Sequence, residues 1–452
     1  MDGPPNIVVI LSDEHAADAA GFAGHPQVRT PQLDRLSRSG VTFDNAYCTS
    51  PMCVPSRLSM LTGRYVHRIG AWDNEVSPSP EFPTWGDHLR PAGYRSVLDG
   101  RTHVNGDDRL VGFDGRLVDD HPDWLASSGR PVPRTADWQR GSNSHVSEVA
   151  VGPHHHTDSD RATTRAAVDF LQGRQRAAPF LLYVGYMHPH FPFVVPPDYA
   201  DLYDADQVPL PTGWDTPVRM QHPVIAQLRH SFRNDEPLAA DQVRAATAAY
   251  WALITHLDDQ IGLLLAALEN TGLTDATVVI YTSDHGEMAG RHGIWQKQCF
   301  YEPAVRVPMI IRDGRSPDGA GRRESTPVST VDLLPTLRDL AGLPGDPELP
   351  GRSLLGPLSP VPVFAEYHAQ GQLTGGFMLR SGCYKLCAYA GRSPQLFDLV
   401  DDPEELTDLA GDAAYAEVLD RLQTELAMII DIDEVDRRAR ADQAERTVVA
   451  RR

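Results

Sequence analysis

Three runs of successive apolar residues constrain this chain more than any other feature: Asn6-Ile7-Val8-Val9-Ile10-Leu11, Pro179-Phe180-Leu181-Leu182-Tyr183-Val184-Gly185-Tyr186 and Ala276-Thr277-Val278-Val279-Ile280-Tyr281. A strand with one face in water alternates apolar and polar residues, whereas these runs are apolar at consecutive positions, as a strand covered on both faces must be. Between them lie segments with helical periodicity or helix start and stop signals, at 31 to 39, 55 to 62, 84 to 90, from about Thr164, from Asp241 to Asn270 and from Ser329 to Ala341, with a further strand at 94 to 98. Thr30-Pro31 reads as the cap of the first helix and Gly40 as its stop. Such alternation predicts an α/β fold around a mostly parallel sheet.

At 452 residues the chain is too long for one small core and suits a large α/β domain, expected over 1–345, and a smaller α+β subdomain over 346–452. The second part opens with a Gly/Pro-rich linker at 342 to 360, continues with a hairpin pattern over Phe377 to Leu386 and has a helix near 412 to 430. The charged tail after Asp431 reads as a solvated helix or a disordered segment, with a contact in a homo-oligomer as the alternative. Residues 105 to 160 are rich in Gly, Pro, Asp and His and lack periodicity, which predicts long loops over the active face where substrate specificity resides. A second irregular, proline-rich stretch is expected to run to about Asn234.

Charge and cysteine usage exclude several classes of function. A formal net charge of -20 disfavours nucleic acid and anionic membrane as partners, so an anionic substrate has to be drawn by a local cationic pocket. Five cysteines, few and odd in number, suggest a reducing compartment without a disulfide framework. The first strand begins almost at Met1 and no apolar run is long enough to span a bilayer, so the expected location is the cytoplasm, with secretion the alternative if a signal has been removed.

Ser12-Asp13-Glu14-His15 follows the first strand and Ser283-Asp284-His285-Gly286-Glu287-Met288 follows another. Both clusters therefore lie beyond the carboxyl ends of strands, where open α/β sheets bind ligands. Oxygen donors joined by a histidine suit a hard divalent cation, Ca²⁺ first, with Mg²⁺ and Mn²⁺ as alternatives; taken singly, each aspartate also reads as a helix cap. The segment Cys53-Val54-Pro55-Ser56-Arg57-Leu58-Ser59-Met60-Leu61-Thr62-Gly63-Arg64 places Cys53 at a helix N-terminus, where N–H groups favour an anion, with the charge of Arg57 one turn away. A bare Cys-x-x-x-Arg reads equally as a buried cysteine ahead of an ordinary helix. His154-His155-His156 reads as an exposed polar loop tip, because three adjacent histidines cannot all face one ion.

The twelve residues from Cys53 to Arg64 match position by position the signature of the formylglycine-dependent sulfatases, and the chain resembles that family from Asn6 to Leu396-Phe397-Asp398-Leu399, closest in pattern to choline-sulfatase-like and phosphonate monoester hydrolase-like members. The resemblance implies an alkaline-phosphatase-like fold and hydrolysis of a sulfate ester of a small molecule or saccharide. It implies that a formylglycine-generating enzyme converts Cys53 to formylglycine, whose hydrate attacks sulfur; the hemiacetal sulfate then eliminates. Asp13, Glu14, Asp284, His285 and the converted Cys53 are the implied metal ligands, although Glu14 departs from the aspartate or amide usual at its position. Gly100-Arg101-Thr102-His103 resembles a Gly-Lys-x-His element, which makes Arg101 a sulfate binder and His103 a base. Met187-His188-Pro189-His190-Phe191-Pro192 resembles a His-x-His-x-Pro element, with His188 the expected general acid and His190 nearer the substrate. Lys297, after Arg291-His292-Gly293-Ile294-Trp295-Gln296, is expected to hold sulfate and protonate the leaving oxygen, and Asn74 to face the substrate. The same scaffold also fits a phosphonate or phosphodiester hydrolase, and an unconverted Cys53 would leave a binding protein for sulfated ligands.

Overall fold

Ile7 to Leu11 are each fully buried in the strand Asn6–Asp13 (β1), and alternate residues enter different cores: Ile7, Val9 and Leu11 one, Val8 and Ile10 the other. This is the two-sided burial that a consecutively apolar strand requires. The computed structural model describes residues 3–122, 131–173, 178–236, 238–316 and 319–449. The other strands of the main sheet are Val41–Phe43 (β2), Arg95–Gly100 (β3), Gly115–Arg116 (β4), Phe180–Pro189 (β5), Thr277–Ser283 (β6), Met309–Asp313 (β7) and Arg322–Glu324 (β8). They run in the order β8-β2-β7-β6-β1-β5-β3-β4. All neighbouring pairs are parallel except those made by β7, so the sheet is mixed and mostly parallel, an alkaline-phosphatase-like arrangement.

Helices cover both faces. The helices His155–Gln172 (α4) and Ala240–Asn270 (α6) bury Ala167, Leu171, Leu257, Ile261 and Leu264 against Val8 and Ile10. On the other face Cys53–Thr62 (α2) and Leu333–Leu340 (α7) bury Met60, Leu61, Leu333 and Leu337 against Ile7 and Val9. Truncating a fully buried residue such as Ile10 to alanine would cost ~2–5 kcal/mol, because the sheet leaves little room to collapse around the void.

The C-terminal part forms a four-stranded antiparallel sheet of Val363–Tyr367 (β9), Gly376–Ser381 (β10), Tyr384–Tyr389 (β11) and Arg392–Asp398 (β12). Its hairpin turns at Gly382 with φ 65°, a left-handed conformation that suits glycine. Phe377, Leu379 and Leu386 pack on Leu422 and Leu426 of the helix Ala416–Ile429 (α8), while Met378, Cys387 and Phe397 enter the main core. Lys385 ties this sheet to the large one: its Nζ lies 3.0 Å from Glu302 Oε1 and 2.5 Å from Glu405 Oε1, all three buried.

Several expectations about elements are corrected. Thr30 precedes Pro31–Arg38 (α1) as expected, but its hydroxyl accepts from the Gly21 N–H and donates to Asp34 rather than capping the helix, which ends at Ser39. Helix α4 begins at His155, nine positions before Thr164, with the His154 ring accepting from the His156 N–H at the position a Ser or Asp usually fills. The stretch before Asn234 contains the helix Pro223–Ser231 (α5), opened in the same way by His222. Among the described residues the tail after Asp431 is not irregular: Ile432–Val449 (α9) is a helix with one solvated face, and its other face docks on the rest of the chain, with Asp442 accepting from Trp72 Nε1 at 2.8 Å and Arg446 pairing with Asp73 at 2.6 Å. The partners of Asp442 and Arg446 lie more than 300 residues away in sequence.

Candidate active site

Register fixes where the chemistry can gather. Ser12 of β1 pairs with Ser283 of β6, so Asp13 and Asp284 leave adjacent parallel strands side by side. Gly100 of β3 pairs with Gly185 of β5, and the Arg101 N–H donates to the Gly185 carbonyl at 2.9 Å. A Cβ at Gly185 would lie 1.9 Å from the Arg101 carbonyl oxygen, so only glycine lets the two chains approach closely enough to bring Arg101 and His103 to the site. Helix α2 points its N-terminus at the same place. Met52 offers no capping side chain; instead Asn74 Oδ1 accepts from the Val54 N–H at 3.0 Å, and the Ser56 hydroxyl donates to the Asp284 carbonyl at 2.5 Å.

Arg57 binds the two carboxylates together. Its Nη2 lies 3.1 Å from Asp13 Oδ2 and its Nε 2.8 Å from Asp284 Oδ2, while Nη1 donates to the Arg101 carbonyl and the Tyr183 hydroxyl. Arg57 is 1% exposed. The charge expected one turn from Cys53 is therefore spent on positioning Asp13 and Asp284. Arg101 Nε also lies 3.1 Å from Asp13 Oδ2. Burial alone would raise the Asp13 carboxyl, but the cations of Arg57, Arg101 and Lys297 outweigh it and hold the group well below the usual carboxylate range.

With Oδ2 of Asp13 occupied by the two arginines, Oδ1 is left to face Cys53, 3.9 Å from its Sγ. His285 Nδ1 lies 3.1 Å from the Gly286 carbonyl, which assigns the ring proton there and turns the Nε2 lone pair toward Cys53 Sγ at 3.2 Å. Donor atoms of Asp13, Cys53, Asp284 and His285 all lie within 4.8 Å of one another, fully or almost fully buried. Two carboxylates and an imidazole around position 53 are a donor set that fits a hard divalent cation. Glu14 lies at the edge of this centre, with a carboxylate oxygen within 4.8 Å of donor atoms of Asp13 and His190. Although its N–H donates to Asp284 Oδ1, its backbone turns at φ 73° and its carboxylate faces Lys297 Nζ at 3.0 Å and His190 Nε2 at 3.3 Å.

Lys297 and His190 form the wall opposite. Lys297 Nζ lies 3.1 Å from His190 Nε2, and His190 Nδ1 faces the Phe191 carbonyl, so the ring donates from Nδ1 and accepts from the ammonium at Nε2. Burial would depress Lys297, but Cys53, Glu14, Asp13 and Asp284 together raise it above a lysine's ordinary value. Burial, with Lys297 adding to it, holds His190 well below the usual imidazole range, and burial with Arg101 does the same for His103. His103 Nδ1 accepts from Arg101 Nη2 at 2.8 Å, which leaves its proton on Nε2; to act as a base it must first release Arg101. Burial pushes the Cys53 thiol up to about 12. An unconverted Cys53 is thus a neutral thiol.

These groups open on a cavity of about 500 Å³ lined by Cys53, Asn74, Arg101, His103, His190 and Lys297, together with Glu75, Asn105, Arg140, His155, His156, Phe191, Phe232, Gln296 and Gln370. Arg140, His155 and His156 come from the aperiodic stretch expected to cover the active face; Gln296 Nε2 is buried without a hydrogen-bond partner among the described residues. The reading of His154-His155-His156 as an exposed tip is corrected: His156 is 3% exposed and its ring lies 6.3 Å from that of His190, because the first turn of α4 carries it inward. His188 is also corrected. Its imidazole does not line the cavity but turns to Asp160, with Nδ1 2.8 Å from Oδ2, so it is not placed to protonate a leaving group.

Residues 5–343 match the family model described as Sulfatase, and residues 290–431 the model described as N-sulphoglucosamine sulphohydrolase, C-terminal. The chain is 32% identical over 427 residues to a choline-sulfatase of Rhizobium meliloti, covering 90% of this chain and 83% of that protein. It is 30% identical over 466 residues to arylsulfatase K of Bos taurus, covering 95% and 82%. Among solved structures, the phosphonate monoester hydrolase of Agrobacterium radiobacter superposes with a TM-score of 0.79 at 26% identity, over 97% of this chain and 96% of that one.

Proposed function

This chain belongs to the sulfatase family and is a sulfuric ester hydrolase, and from that premise we propose that it cleaves a small-molecule or saccharide sulfate monoester through Cys53 converted to formylglycine. The observation that carries the reading is the state of Cys53: at the N-terminus of α2 and beside His285, Asp13 and Asp284, a thiol held up near pKa about 12 is no nucleophile, whereas a hydrated aldehyde at the same position is. Asp13, Asp284, His285 and the converted residue 53 would hold a divalent cation, Ca²⁺ by preference for carboxylate oxygen, with Mg²⁺ or Mn²⁺ as alternatives. Bound there, the cation supplies positive charge to the ester oxygens and acidifies the attacking hydroxyl.

The remaining steps belong to side chains. Arg57 keeps Asp13 and Asp284 in register. Lys297, protonated and in the cavity wall, binds a sulfate oxygen and gives its proton to the departing alcohol; His190, whose Nε2 accepts from it, orients the ammonium. His103, neutral and hydrogen-bonded to Arg101, takes the proton released when sulfate is eliminated, once Arg101 has turned onto the sulfate. Asn74 holds the helix N-terminus open beneath the anion and lines the cavity. Arg57 is already neutralised by Asp13 and Asp284, which leaves a site suited to a monoanionic ester over a dianionic one. The amides of Gln296, Gln370 and Asn105 suit an alcohol that carries further hydroxyls.

A second reading, hydrolysis of a phosphonate monoester or phosphodiester, is favoured by the likeness to the phosphonate monoester hydrolase, and these esters are monoanions as well. Expression with a formylglycine-generating enzyme should yield a residue-53 peptide with the mass of the aldehyde, and Cys53→Ala should abolish turnover while the protein stays folded. Fully active enzyme with only thiol at position 53 would reject the mechanism. Faster turnover of a phosphonate or phosphodiester than of every sulfate ester in a matched panel would favour the second reading.

A further inference from the structure

Behind the cavity wall lies a second group of metal-ligating side chains that the proposed reaction does not use. Asp160 of α4, His188 of β5 and His256 of α6 come from three separate elements, yet one donor atom from each lies within 4.8 Å of the others and all three residues are buried. Asp160 is fixed: its Oδ1 accepts from the Met187 N–H at 2.7 Å and its Oδ2 from the His188 N–H at 3.1 Å. His188 Nδ1 lies 2.8 Å from the same Oδ2. His256 is 0% exposed, and neither of its ring nitrogens has a hydrogen-bond partner among the described residues. Its ring stands edge-on to His188 at 4.9 Å and to Tyr199 at 5.2 Å. An imidazole buried with both nitrogens unmatched is a costly way to fill a core that leucine would fill, unless a ligand meets one of them.

We propose that Asp160, His188 and His256 bind a second divalent cation of the zinc class, distinct from the ion at the Asp13–Asp284–His285 centre. Two imidazoles and one carboxylate are borderline donors that suit Zn²⁺ better than Ca²⁺ or Mg²⁺, whereas the active centre is dominated by carboxylate oxygen. Tetrahedral bonds of ~2.0–2.2 Å place donor atoms ~3.3 Å apart, so the trio would close on an ion by adjusting donor atoms that already lie within 4.8 Å of one another, with water as the fourth ligand. The site is structural in placement: neither His188 nor His256 lines the substrate cavity. Its occupant would clamp α4 and α6 to the end of β5, two residues before His190, and so set the position of the ring that orients Lys297.

The test uses full-length protein held in excess Ca²⁺, loaded with Zn²⁺, passed through gel filtration and analysed for metal by mass spectrometry. Wild type should retain about one zinc equivalent more than His256→Leu, and Zn²⁺ should raise the melting temperature of wild type but not of the variant. Equal zinc retention by both proteins would place any zinc at the active centre or at His154–His156 and overturn the proposal. Wild type that retains none would overturn it too. If His256→Leu does not fold, Co²⁺-loaded wild type decides: strong visible bands of a tetrahedral site, bleached by Zn²⁺, support the proposal and their absence rejects it.

Discussion

Lys297 Nζ and Glu14 Oε1 lie 3.0 Å apart, buried beside the cavity that holds Cys53. This pairing gives Glu14 the part of counter-ion to the lysine. Glu14→Gln should therefore keep the divalent ion at wild-type stoichiometry and free Lys297 for the ester, lowering KM by up to ~10-fold, the equivalent of about 1.4 kcal/mol. Metal analysis beside steady-state kinetics checks this. Loss of the ion together with kcat would return Glu14 to the metal ligands.

Removing Arg57 should act first on stability. Its guanidinium lies 3.1 Å from Asp13 and 2.8 Å from Asp284 at 1% exposure, so Arg57→Ala takes the guanidinium from buried Asp284 and leaves buried Asp13 with Arg101 alone. The expected loss is about 3–5 kcal/mol. A divalent ion supplies the missing charge, so millimolar Ca²⁺ should recover part of the lost melting temperature in the variant and do less for wild type. An unchanged melting temperature in metal-free Arg57→Ala would show that the bridge contributes nothing.

What could be read in the sequence divides along physical lines. The central strands were legible because a doubly buried strand writes a consecutive apolar run, as Ile7 to Leu11 and Val278 to Tyr281 do. Cys53, Asp13, Asp284 and His285 were legible as a set because strand ends and a helix start converge in open α/β sheets, with the motif resemblance adding which residues belong together. The directions of side chains were not. Arg57 turns to carboxylates rather than to the cavity, and His188 turns to Asp160, because each is captured by a partner that only the fold brings near. The docking of α9 was hidden for the same reason: a helix whose polar groups reach Asp73, Trp72 and Arg134 has the composition of a solvated one.

Acid should destabilise the protein through histidines that folding keeps neutral. Burial lowers His292 to about 4, against a weaker upward pull from the Glu404 carbonyl, and the ring stacks on Tyr301 at 4.1 Å. Because the folded value lies below the unfolded value of about 6.5, the unfolded chain binds the proton first. Stability is thus fully present above pH ~6.5 and is lost as pH falls toward 4, by on the order of 3 kcal/mol for this group. Melting temperatures measured across that window should fall more steeply for wild type than for His292→Asn, a residue that tolerates the left-handed backbone at φ 55°. Parallel curves would show that His292 does not titrate differently in the two states.

Lys297 separates two jobs that a single rate cannot. Its ammonium lines the cavity and donates to His190, with burial opposed by Cys53, Glu14, Asp13 and Asp284 so that it stays protonated. As a proton donor it should matter in proportion to the basicity of the departing alcohol: an alkyl alkoxide needs the proton before it can leave, whereas an activated phenolate leaves without it. Lys297→Ala should therefore lower kcat/KM by ~10²–10⁴-fold on alkyl sulfates and far less on nitrophenyl sulfate, and a plot of log kcat/KM against leaving-group pKa should be steeper for the variant. As a mere sulfate binder it would touch all substrates alike, because every one presents the same charged group. An equal loss across the series would assign Lys297 to binding alone and leave the proton to another group in the cavity, with His190 the nearest, 3.1 Å away.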